Sequence, residues 1–152
     1  MRAAVSTRKG SLRGVRYSMP RLTLDDAFIA ILIGAMDANR HVSREEAARA
    51  HHIIWSMKRF RRKSGDRVNR IIEAMRTLIE TEGALAVITA AAQTVPERLR
   101  AAAFAVSADL VLADGTIEPA ERHFLERLAR NLRLDRRTRD GLVQAMLVKN
   151  AA

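Results

Sequence analysis

The chain is predicted to be all-α from three observations. Apolar residues recur at helical spacing along most of its length, and no segment alternates apolar and polar residues for long enough to argue for a strand. Aromatics make up only 4% of the 152 residues while apolar residues make up 48%, so the core is built from Ala, Leu, Ile, Val and Met, a mixture suited to close helix packing. The third observation is a repeat. The stretch from Ala113 to Glu121 (Ala-Asp-Gly-Thr-Ile-Glu-Pro-Ala-Glu) has a weakened counterpart 75 positions upstream, from Ala38 to Glu46.

In both copies an Ala-rich helix enters a short polar loop, a β-branched residue follows (Val42, Ile117), and a helix opens with a Glu (Glu46, Glu121). Ile29 corresponds to Phe104, Ile31 to Val106, Met36 to Val111 and Ile53 to Leu128. Such a match describes a duplicated helix-loop-helix, an architecture rather than a chemistry.

About seven helices are expected, two pairs of them hairpins related by the repeat. Residues 1–21 mix Ser, Gly and Arg without an apolar period and read as a disordered basic arm; residues 22–150 form the helical domain. Thr23 caps the first helix, with Asp25 and Asp26 in its positive first turn, and this helix is apolar nearly all round, which makes it central. Ser43 and Glu46 form a capping box for the second, expected to stop near Ser64 and Gly65. Trp55 on that helix is expected to close the edge of the core against the third. Asp66 is expected to cap the third helix, whose Ile71, Ile72, Met75, Leu78 and Ile79 share a stripe. Ala84 to Gln93 is a short, uncharged and therefore buried helix. Thr94 and Glu97 suggest a capping box for the fifth, which runs to Leu112; Pro119 suits the first turn of the sixth, and Asp135 caps the seventh.

The absence of cysteine excludes disulfides, thiol nucleophiles and thiolate metal sites, and fits a cytoplasmic protein. The longest apolar run, Ala27 to Met36, is half of the roughly 20 residues a membrane span needs. The N-terminal residues lack the apolar segment expected of a secretory signal. No serine sits in a nucleophile elbow, no Gly-rich run precedes a helix, and the four histidines lie in no His-Glu-x-x-His arrangement, so nothing supports an enzyme. The net charge is +10, of which +6 falls in residues 1–21. A second basic concentration, Lys58, Arg59, Arg61, Arg62 and Lys63, lies at the expected end of the second helix, where cations favour the helix dipole.

The second copy of the repeat reads like the back half of a calcium loop. With Gly115 at the sixth position, Asp114 falls at five, Ile117 at eight and Glu121 at twelve. The first and third positions would be Leu110 and Leu112, which carry no oxygen for a hard cation. A full calcium hand is excluded. What remains is a loop in which Asp114, Glu118 and Glu121 can converge, with Asp109 one turn back, as ligands to a divalent metal ion: calcium, magnesium, manganese or zinc. The alternative is that Asp114 and Gly115 only make the turn, Glu121 caps the next helix, and Asp109 pairs with an arginine such as Arg122.

Ala113, Asp114, Gly115, Ile117 and Glu121 together resemble the hallmark of the TerB-like family of tellurite-resistance-associated helical domains. The resemblance covers residues 22–148. It implies an all-α domain with an acidic, metal-binding surface, docking protein partners in a bacterial stress-response or tellurite-resistance system. The first copy departs from the motif, since Asn39 and Arg40 stand where Asp and Gly are expected, and a cation at Arg40 opposes a second symmetric site. A competing function is a basic anion-binding module, in which the arm and the 58–63 cluster contact nucleic acid or an anionic membrane.

Overall fold

The computed structural model describes residues 19–38 and 42–152. Within them lie seven helices and no strand: α1 (Leu24–Asp37), α2 (Arg44–Ser56), α3 (Gly65–Glu82), α4 (Ala84–Thr94), α5 (Glu97–Val111), α6 (Pro119–Asn131) and α7 (Arg136–Asn150). The expected arm, apart from residues 19–21, and Asn39, Arg40 and His41 of the first loop lie outside the described residues.

α1 opens with reciprocal bonds: the Thr23 N–H donates to Asp26 Oδ2 at 2.8 Å and the Asp26 N–H to Thr23 Oγ1 at 3.1 Å. Every residue from Ala27 to Met36 is buried, so this helix is the axis of the core. It packs against α2, α3, α4, α5 and α6.

α2 starts on the Ser43 and Glu46 box as expected, with bonds of 2.8 and 3.1 Å, but ends at Ser56, well short of Ser64. The helix closes where Met57 turns extended at ψ 129, its N–H bonding the Ile54 carbonyl. The Arg61 guanidinium takes the Ser56 carbonyl, which a continuing helix would offer to the Phe60 N–H, and that N–H bonds Met57 instead. The resulting turn places Phe60 wholly inside the core. Trp55 is half-buried on the core, and its indole N–H donates to His51 Nε2 at 2.8 Å.

Two expectations about helix ends and one about burial are corrected. Ser64, not Asp66, caps α3, accepting from the Arg67 N–H at 3.3 Å, while Asp66 adds charge to the first turn. Thr94 does not cap α5, because its hydroxyl donates back to the Ala90 carbonyl at 2.9 Å and Pro96 occupies the cap position. α4 is buried on one face only, through Val87, Ile88, Ala91 and Ala92, and leaves Leu85 59% exposed. Pro119 and Asp135 hold the positions expected of them.

The duplication extends beyond two hairpins. The 75-residue offset carries Arg44–Ser56 onto Pro119–Asn131, and contacts repeat in kind: α1 with α2 and α3, α5 with α6 and α7, and reciprocally α2 with α5 and α1 with α6. α4 has no counterpart and fills the space beside α1, α3 and α6.

Candidate functional site

The loop between α5 and α6 begins where the core ends. Leu110 and Leu112, at the would-be first and third calcium positions, are buried, which is the physical reason that half carries no oxygen ligand. Gly115 adopts φ +74, a left-handed conformation that glycine reaches without strain, and its N–H bonds the Leu112 carbonyl at 3.1 Å. Ile117 is half-buried against the core and pins the loop. Its counterpart Val42 does not act as a plug, being 45% exposed.

Glu121 is the chemical centre of the loop. It is only 7% exposed, and its Oε2 accepts from the Glu118 N–H at 2.8 Å, the same length as the bond from the Ser43 N–H to Glu46 in the first copy. Burial pushes the Glu121 carboxyl above its usual range; the Glu118 hydrogen bond opposes the shift, while the charges of Glu118, Glu46 and Asp114 add to it. The charge of Glu46 on α2 adds to that of Asp114 and Glu118 at the acidic junction around Glu121, although residue chemistry in the second loop alone gives no hint of it. The signal that finds it is the repeat itself, since Glu46 and Glu121 are equivalent positions.

Asp109 is not brought to this junction. Its carboxylate receives Lys149 Nζ at 2.9 and 3.0 Å and Asn150 Nδ2 at 3.1 Å, so it ties α5 to α7, and its partner is Lys149 rather than Arg122. Asp114 and Glu118 are exposed at the loop surface. Among the described residues, no group of three or more His, Asp or Glu side chains is gathered closely enough to hold a metal ion as it stands.

The basic cluster is dismantled by its own contacts. Arg59 Nε reaches Asp25 Oδ1 at 2.6 Å and Lys63 Nζ reaches Asp25 Oδ2 at 3.1 Å, while Arg61 serves the Ser56 carbonyl. Burial pushes the Asp25 carboxyl up, but hydrogen bonds and charge from Arg59 and Lys63 outweigh it and hold the group below its usual range. Only Lys58 and Arg62 of the five remain without a hydrogen bond or ion pair among the described residues.

The arrangement is thus a duplicated all-α bundle with an Ala-Asp-Gly loop and a buried Glu opening the following helix. The family model described as Tellurite resistance protein TerB matches residues 25–144. The chain belongs to the TerB family. The TerB match starts one residue into α1 and ends within α7, so it takes in both copies of the repeat and α4 between them. No curated protein and no solved structure matches the chain. Among the described residues, no helix of this TerB domain is long and apolar enough to cross a membrane.

Proposed function

We propose that this TerB domain acts in a tellurite-resistance or related stress system by taking a divalent cation at the junction of Glu121, Asp114, Glu118 and Glu46, and that the charged surface so formed docks a protein partner. The observation that carries the reading is Glu121, a carboxylate kept inside the protein, whose pKa is raised first by burial and further by the charges of Glu118, Glu46 and Asp114. A cation would relieve the repulsion the fold maintains there. The donors are all carboxylate oxygens, a set that suits calcium, magnesium and manganese better than zinc. Because the acids are not gathered into a finished cage, binding has to draw Asp114 and Glu118 inward from the loop surface, and the ion would supply charge and order rather than catalysis.

The test is thermal melting with each cation at about 1 mM, where an ion that binds only the folded state raises the melting temperature. Calcium, magnesium or manganese is expected to raise it, and Asp114→Asn to abolish the rise. If none of calcium, magnesium, manganese and zinc moves the wild-type transition, the cation reading is wrong and Glu121 is a helix cap alone.

A further inference from the structure

A groove of about 520 Å³ opens between the N-terminal part of α1, the turn after α2 and the first half of α5. Phe28, Met57, Leu99 and Val106 supply its apolar walls, Lys58 and Arg98 stand in it as exposed cations, and no carboxylate lines it among the described residues. This volume lies within the roughly 300–1,000 Å³ of small-molecule sites, which are mostly apolar with a few orienting polar groups. The third cation there, Arg59, is already neutralised by Asp25 and sits 5.4 Å over the Phe28 ring, so it forms part of the wall. Lys58 and Arg98 have no ion-pair partner among the described residues.

We propose that this groove binds a small amphiphilic anion: a carboxylate held by Lys58 and Arg98, carrying an aliphatic body that lies against Met57, Leu99 and Val106. Charge complementarity selects the head, because the groove presents two uncompensated cations and no acid. The apolar walls select the body, and the unbranched Met57 side chain adapts to its shape. An inorganic anion would leave those walls in water; a neutral alkane derivative would leave the cations unpaired. This site draws on none of the acids of the Glu121 junction, so it stands or falls separately from the cation reading.

Decanoate, below its micellar concentration, is the probe, titrated into the full chain by calorimetry and followed by amide chemical shifts. Decanol and acetate serve as controls for the head and the body. Saturable binding of decanoate is expected, with shift changes centred on Met57, Lys58, Arg98 and Leu99, and with both controls at least about tenfold weaker. The double variant Lys58→Gln with Arg98→Gln changes only exposed side chains and is expected to weaken decanoate about tenfold while leaving the melting temperature in place, as follows from losing charge-assisted contacts. Equal binding of decanol, undiminished binding by the double variant, or shifts centred elsewhere would overturn the proposal. So would binding to phosphatidylglycerol vesicles with no binding of monomeric decanoate, which would make the groove a membrane contact instead.

Discussion

At the scale of single residues, the most consequential feature is that Glu121 does two things with one carboxylate. It accepts the Glu118 N–H at the start of α6, and it bears a charge that burial and three neighbouring acids disfavour. The sign of its contribution to stability follows. A carboxyl whose pKa is raised on folding binds its proton more tightly in the folded chain, so stability is highest below the usual glutamate range near 4.5 and declines as pH rises through the raised value. Glu121→Gln keeps an acceptor for the Glu118 N–H and removes the charge. It is expected to match or exceed the wild type at pH 7 and to flatten that decline. Glu121→Ala loses the bond and is expected to cost about 1 kcal/mol at pH 4, and less at pH 7, where it also removes the disfavoured charge. Denaturant titrations at pH 4 and pH 7 distinguish these outcomes, and a Gln variant that loses stability at pH 7 would contradict the electrostatic account.

Helix ends are the element-scale lesson, because several were displaced by side-chain hydrogen bonds that propensity does not foresee. The sequence points to Asp66 as the cap of α3, but it is Ser64 Oγ that accepts a bond from the Arg67 N–H. Ser64→Ala is therefore expected to lower stability by about 1 kcal/mol, and Asp66→Ala by less, through the loss of its favourable first-turn charge alone. The comparison requires only two melting curves. α6 ends with Arg133 at φ 54, a left-handed residue followed by a bond from the Leu134 N–H to the Ala129 carbonyl at 3.0 Å. This is the helix-ending pattern in which glycine is favoured. Arg133→Gly is expected to stabilise the protein by roughly 0.5–1 kcal/mol, since the non-glycine residue carries the left-handed strain. A destabilised Gly variant would mean that the Arg133 side chain contributes more than its backbone costs.

For the whole molecule, the pseudo-symmetric arrangement does not make two independent halves. α1 and α5 lie against each other, α2 reaches across to α5 and α6 to α1, so each half completes the core of the other. Ile29 and Phe104, equivalent in the repeat, are both fully buried. Ile29→Ala is expected to cost about 2–5 kcal/mol and Phe104→Ala about 3–5 kcal/mol. Each is expected to shift one cooperative transition without splitting it. Two separated transitions in calorimetry would show that the halves unfold independently.

The sequence by itself determined the all-α class, the seven helices, the duplication, most of the caps and the TerB resemblance. These rest on periodicity, on short-range capping chemistry and on a local motif, all of which are written within a few turns of chain. Glu121 and Asp114 were legible for the same reason. The tertiary structure decided what long-range proximity alone can decide. It set the charge of Glu46 in one copy to act on Glu121 of the other, drew Asp109 away to Lys149 and Asn150, and spent Arg59 and Lys63 on Asp25, more than thirty residues earlier in the chain. A charge's role depends on which opposite or like charge the fold sets beside it, and a linear run of residues does not carry that information.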